Sequence, residues 1–302
     1  MDAISSSSSW AFERYQQVRP RLPNCSRAGK AIWAPNLAAI AAPYDAIFLD
    51  AYGVLNVGEA AIPGSIDAIA TLRRLGKLVM VVSNSAGYPK AVMMARYQRL
   101  GFDFQPDEVT SSREALIQAI AEQELTDFAM ILGEEHPFDD FVSAPLLLAD
   151  DPAHYDAARG FLLIGSQGWT EHRQALLEAT LRRHPRHVLV GNPDIVAPRE
   201  NGLSLEPGYF AHRVADNTPV CPRFLGKPFP EIFRLALGRL PHPFDPSRVL
   251  MVGDTLHTDV LGGQNMGFAT ALVTNHGSLK DMDIDRALNL SGIVPDYILP
   301  AI

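Results

Sequence analysis

The chain has 302 residues, 47% hydrophobic and 20% charged, with a formal net charge of −8. That composition is globular, and the length suits one large domain or two ordinary ones. The acidic balance excludes a general nucleic-acid binder, which needs basic groups against phosphates, but not a small anionic substrate, whose binding is decided locally by dipoles and any bound metal.

Residues 1 to 40 read as an extension, a frayed tail followed by a docking helix. Ser5 to Ser9 and then Arg14, Arg19, Arg21, Arg27 and Lys30 enclose no apolar signal core, and Asp2 and Glu13 weaken a transit-peptide reading. No run of 18 apolar residues marks a transmembrane helix, so no membrane partner is expected. Cys25 and Cys221 stand far apart and in no paired motif. A disulfide framework or zinc site is therefore not expected, and a cytoplasmic location is.

From residue 41 the pattern alternates. Asp45-Ala-Ile-Phe-Leu-Asp50 predicts a buried strand, Pro63 to Leu75 a helix ended by Gly76, Leu78 to Val82 a strand, and Tyr88 to Leu100 a helix stopped by Gly101. In the middle, helices are predicted over Asp107–Gln123 and Trp169–His184, and strands over Phe128–Leu132, Leu146–Leu148 and Phe161–Ile164. The first rhythm then returns: strand His187–Val190, helix Pro230–Leu240, strand Arg248–Val252, helix Leu256–Met266, strand Ala269–Val273. Apolar strands alternating with helices imply a doubly wound parallel sheet, Rossmann-like, covered on both faces. The middle reads as an inserted α/β unit over 113–189, dividing a core of 41–112 and 190–302.

Reactive groups fall just after strands or in Gly/Pro loops, where such sheets bind ligands. Asp50-Ala-Tyr-Gly ends a strand with a carboxylate able to act as a nucleophile, and Gly53 permits a sharp turn. Ser83-Asn84-Ser85 offers a hydroxyl and backbone N–H groups to phosphate oxygens; alone it equally suits a helix cap. Lys227, in Gly226-Lys227-Pro228, is a point charge for a phosphate or a carboxylate cluster, though a lone lysine is more often a surface group. Asp254 and Asp259, five residues apart across a turn into a helix, suit magnesium; paired helix-capping acids are the plainer alternative. Together they supply positioning, charge neutralisation and a nucleophile for phosphoryl transfer.

In this order the four segments resemble the haloacid dehalogenase-like (HAD) hydrolase superfamily, from roughly Tyr44 to Leu279. Ile62-Pro-Gly64, Val82-Ser-Asn84, Asn192-Pro-Asp194, Pro207-Gly208 and Gly226-Lys-Pro-Phe-Pro230, with the insert between the serine and lysine motifs, are similar to the class IIA, NagD-like group of sugar and nucleotide phosphatases. The resemblance implies a HAD core with an inserted α/β cap that selects the substrate, and Mg2+ as cofactor. It implies Asp50 as the nucleophile that forms an aspartyl-phosphate. Ser83 would bind the transferring phosphoryl group, Lys227 would steady its charge, and Asn84 and Asp194 would line the substrate pocket. Asp254 would bind the metal with Asp50, Asp259 would support the metal or Lys227, and the backbone carbonyl of residue 52 would be a further ligand. By the same analogy a small phosphorylated substrate and a homodimer are the expected partners.

One position departs from the pattern. Phosphatases of the family carry Asp two residues after the nucleophile, as general acid and base; here it is Tyr52. A phenol with pKa near ~10 is a weak replacement at neutral pH, and such help is worth on the order of 100- to 10,000-fold. The sequence thus predicts a slow phosphatase, a good leaving group, or an acid supplied by the cap, with His136, His154 and His172 as candidates by residue type. Asp50-Ala-Tyr-Gly is also similar to the 2-haloacid dehalogenases, which need no metal and carry their cap at the other insertion point. A subgroup of NagD-like proteins has an aromatic residue at this position, and a non-catalytic metabolite-binding protein on the same scaffold is the third alternative.

Overall fold

The computed structural model describes residues 7–24, 27–122, 126–132, 138–141, 146–200 and 202–302. Seven parallel strands form the core sheet in the order Ile32–Trp33, Tyr297–Leu299, Ala269–Val273, Val249–Gly253, Ala46–Leu49, Leu78–Ser83, Val109–Ser111. The three strands Val249–Gly253, Ala46–Leu49 and Leu78–Ser83 are apolar throughout until their last residues because both faces are covered. Alternate side chains divide between the faces. Ile47, Leu49, Val79, Val81, Leu250 and Val252 pack in one cluster with Ile69, Leu72, Met93 and Tyr97 of the helices Ser65–Arg74 and Lys90–Arg99. Ala46, Phe48, Met80, Val82, Val249 and Met251 pack in another with Ile232, Phe233 and Ala236 of the helix Pro230–Leu237.

A second sheet of five parallel strands runs Arg223–Phe224, His187–Val190, Gly160–Leu163, Phe128–Ile131, Leu146–Leu147. Its inclusion of Arg223–Phe224 carries the inserted unit past residue 189, where the sequence placed the return to the core. The helix Pro207–Asn217 belongs with it, burying Phe210, Ala211 and Val214 in the same cluster as Phe161, Leu163, Val188 and Val190. A two-residue strand is too short for an apolar pattern to reveal. Between these elements Val196–Arg199 and Gly202–Leu205 form an antiparallel hairpin, with Val196 opposite Leu205.

Other boundaries also moved. The stretch predicted as a helix from Asp107 opens with the core edge strand Val109–Ser111, and its helix is Ser112–Glu122. The first 40 residues contribute the edge strand Ile32–Trp33 and the helix Ser8–Val18, which buries Ala11, Phe12, Tyr15 and Val18 against Leu256, Val260, Leu261, Leu272 and Ile298. Among the described residues no helix is long and apolar enough to cross a membrane.

Candidate active site

The site begins where the three central strands end. Register aligns Leu49 with both Val81 and Val252, so Asp50, Ser83 and Asp254 emerge side by side at the carboxyl edge of the sheet. The Asp50 amide donates to the Val252 carbonyl at 2.9 Å, tying the Asp50 loop to the neighbouring strand. Close approach demands glycine here. Gly53 has φ +79, and a Cβ on it would sit 2.7 Å from Asp254 Oδ2; one on Gly253 would sit 2.0 Å from the Asp259 carboxyl carbon.

Behind the strand ends lies Lys227, 1% exposed. Its Nζ is 2.6 Å from Asp50 Oδ1 and 2.7 Å from Asp259 Oδ1. Burial opposes the ammonium charge, but Asp259, Asp50 and Asp194 overcome it and raise the Lys227 pKa above its ordinary value. Asn84 locks the lysine backbone: its Oδ1 accepts from Lys227 N at 2.7 Å, and its Nδ2 donates to Lys227 O at 3.0 Å and to Asp194 Oδ1 at 2.8 Å. Ser83 Oγ accepts from the Ser85 amide at 3.2 Å.

The acid pair lies on an unusual turn. Leu256–Val260 is a π-helix, the kind of local widening often found at functional sites. Asp259 Oδ2 accepts from Thr255 N at 3.1 Å, while Asp254 Oδ2 accepts from Ser278 N at 2.6 Å and Asp254 Oδ1 from Thr255 Oγ1 at 2.9 Å. Asp50, Asp254 and Asp259 each present a carboxylate oxygen, all within 4.8 Å of one another. Burial, then Asp259 and Asp50, push Asp254 up to about 8. Burial also raises Asp50, to about 6, against the pull of Lys227. One lysine thus does not balance the cluster, and the hard oxygen set fits a divalent cation such as magnesium.

Asp50 borders a cavity of about 370 Å³, within the range of small-molecule sites, whose lining includes Tyr52, Ser83, Asn84, Asp194, Asp254 and Arg199. The eight residues singled out from the sequence therefore converge, with Lys227 and Asp259 as buried supports. Two of the three candidate histidines do not. His154 and His172 are absent from the lining of the cavity, the first lying 3.8 Å from Asp151 and the second exposed. His136 lies outside the described residues.

Sequence reasoning missed the groups around Tyr52. Arg96 and Arg199 place their guanidinium carbons 4.9 Å and 5.0 Å from the centroid of its ring. Arg199 comes from the hairpin and pairs at 2.9 Å with the buried Glu206, which also accepts from Asn192 at 3.1 Å and Ser204 at 2.6 Å. Arg96 pairs at 2.7 Å with Glu59, whose amide donates to Glu200 at 2.6 Å. The one available signal was Asn201-Gly202, a hairpin dipeptide between short strand-like runs.

A parallel-sheet edge bearing a carboxylate, a hydroxyl, a buried lysine and an acid pair beneath an inserted α/β unit defines a hydrolase of the HAD type. Residues 47–144 match the family model for haloacid dehalogenase-like hydrolases, and 224–302 match a second, HAD-hydrolase-like model. The chain is 30% identical to human chronophin over 269 residues, covering 85% of this chain and 90% of that one. It is 29% identical over 240 residues to acid sugar phosphatase of Staphylococcus aureus, covering 79% and 90%. The structure of a possible sugar phosphatase from Cytophaga hutchinsonii superposes with a TM-score of 0.77 at 25% identity, covering 90% of this chain and 98% of that one. The chain belongs to the haloacid dehalogenase-like hydrolase family.

Proposed function

We propose that the protein is a magnesium-dependent phosphatase of small phosphorylated metabolites that works through an aspartyl-phosphate on Asp50. The observation that carries this reading is the contact of Asp50 with Lys227 beside Asp254 and Asp259, against a cavity sized for a small molecule. The names of the sugar-phosphatase relatives support the substrate class.

Magnesium held by Asp50, Asp254, Asp259 and the Tyr52 carbonyl would neutralise phosphate charge and help orient the ester. The chain's own groups do the rest. Ser83 Oγ and the neighbouring amides hold phosphoryl oxygens, and Lys227 offsets the negative charge that builds beside Asp50. The Asp50 carboxylate attacks phosphorus; the Asp50 oxygen–phosphorus bond forms as the bond to the leaving oxygen breaks, and that oxygen takes a proton. Water then attacks the acyl phosphate, releasing inorganic phosphate and restoring Asp50. Tyr52, at the family's acid–base position, makes both proton transfers slow. The carboxylate trio weighs against a metal-free dehalogenase, which has no use for it.

A panel of phosphate esters assayed with magnesium tests the proposal. Wild type should release phosphate from at least one ester, and Asp50→Asn should lower kcat by roughly 10,000-fold or more. Release unchanged by Asp50→Asn, or no release from any ester, would sink it.

A further inference from the structure

The helix Ser8–Val18 lies where the core and the inserted unit meet. Its buried residues Ala11, Phe12, Tyr15 and Val18 follow a helical period and face inward. Tyr15 does more than pack. Its hydroxyl accepts a hydrogen bond of 3.1 Å from the amide of Ile195, next in sequence to Asp194. Its ring stacks on that of His257, centroids 5.1 Å apart at 10°, and Phe12 meets the same imidazole edge-on at 5.5 Å. Gln16 Oε1 lies 2.6 Å from His257 Nε2. His257 sits in the π-helical turn between Asp254 and Asp259.

The same segment reaches the inserted unit on its other side. Trp10 lies 5.8 Å from Tyr209, the Arg14 guanidinium 6.0 Å from the same ring, and Arg21 pairs with Asp216 at 2.5 Å. Tyr209 and Asp216 both belong to the helix Pro207–Asn217. One short segment thus grips the Asp194 loop, the acid-pair turn and the inserted unit at once.

We infer that this helix is a positioning element of the active site, with Tyr15 as its positioning residue, fixing the Asp194 loop against the turn that carries Asp254 and Asp259. Packing alone would require only apolar contacts. A phenol that satisfies a backbone N–H of the site loop while its ring is clamped on His257 sets direction as well as distance. The activity arm of the test rests on the phosphatase reading; the exchange arm does not.

Tyr15→Phe in the full chain keeps the ring and removes the hydroxyl, and Gln16→Leu, which removes the polar partner of His257, is the second variant. Hydrogen exchange is followed in peptides covering 192–198 and 254–260, and kcat and KM on phosphate esters are measured across a magnesium titration. Tyr15→Phe should speed exchange in both segments while leaving the strand Leu78–Ser83 unchanged. It should also lower kcat by roughly 10- to 100-fold, as misplacing reacting groups does, and raise the magnesium needed for half activity. Wild-type exchange at both segments in both variants would overturn the inference. So would faster exchange with kcat per folded molecule unchanged, since a scaffold helix predicts that. Should wild type release no phosphate, the function proposal fails separately, and protection of 254–260 by magnesium decides this one: protection of Tyr15→Phe at the same magnesium concentration as wild type overturns it.

Discussion

On the floor of the cavity, Asp50, Ser83 and Asp254 stand at the ends of three adjacent strands, and their positions follow from register and from glycines that leave no room for a side chain. Across from them Tyr52, Arg199 and Glu206 come from loops and a hairpin, and depend on one another rather than on a sheet. The floor is built on strand ends and, on the phosphatase reading, holds the phosphoryl group. The facing wall joins core to hairpin, since Tyr52 belongs to the first and Arg199 to the second. On the same reading, substrate choice and proton transfer would belong to that wall, which carries Tyr52.

If the floor is a complete phosphatase and only the wall limits it, restoring the acid should have the largest effect. Tyr52→Asp should raise kcat on a poor leaving group by about 100-fold or more, the scale of general acid catalysis. Esters with good leaving groups, such as p-nitrophenyl phosphate, should gain far less. No gain on either class would show that the wall does not limit turnover and would break the division.

Arg199→Ala should act on binding. It removes one of the two cations against the Tyr52 ring and leaves Glu206 without its charged partner, so the wall loses its shape while the floor is untouched. KM should rise by roughly tenfold, about 1.4 kcal/mol, with kcat changed by much less. An equal fall in kcat with KM constant would place Arg199 with the reacting groups instead.

The smallest effect concerns the floor alone. Asp254 is pushed up to about 8, from an ordinary 3.8, by burial and by Asp259 and Asp50. A folded-state value above the unfolded one means that the folded chain holds the proton more tightly. The stability this contributes is present below the unfolded value and is lost as pH rises through about 8. In metal-free protein Tm should fall as pH is raised from about 5 to about 8.5, by roughly a few degrees, and fall less in Asp254→Asn. Magnesium should stabilise wild type more at the alkaline end. Identical slopes in wild type and variant would show that Asp254 carries no such strain.

The same contrast explains what the sequence disclosed. The strands under Asp50, Ser83 and Asp254 are continuous apolar runs, so their ends, and the acids just past them, could be located from pattern alone. Lys227 was legible from its Gly-Pro setting and its family order, although nothing local to it predicts 1% exposure between two carboxylates. Arg96, Arg199 and Glu206 were not legible. Each lies on an element whose own pattern is unremarkable, and only the meeting of the hairpin with the Asp50 loop makes them neighbours of Tyr52. His154 and His172 failed because residue type carries no information about distance. The short strands Ile32–Trp33 and Arg223–Phe224 escaped because two residues have no period.

The edge strand Ile32–Trp33 takes its place beside Tyr297–Leu299, among the last residues of the sequence, while Ala46–Leu49 pairs with Val249–Gly253. On a ribosome, then, the early strands emerge long before their neighbours do. The inserted unit, whose strands pair among themselves, can settle first, whereas the sheet that carries Asp50 must wait for sequence beyond residue 249, and its outer edge for residue 297. Nascent chains should therefore hold Asp50 in an unfinished sheet until the sequence beyond residue 249 has emerged.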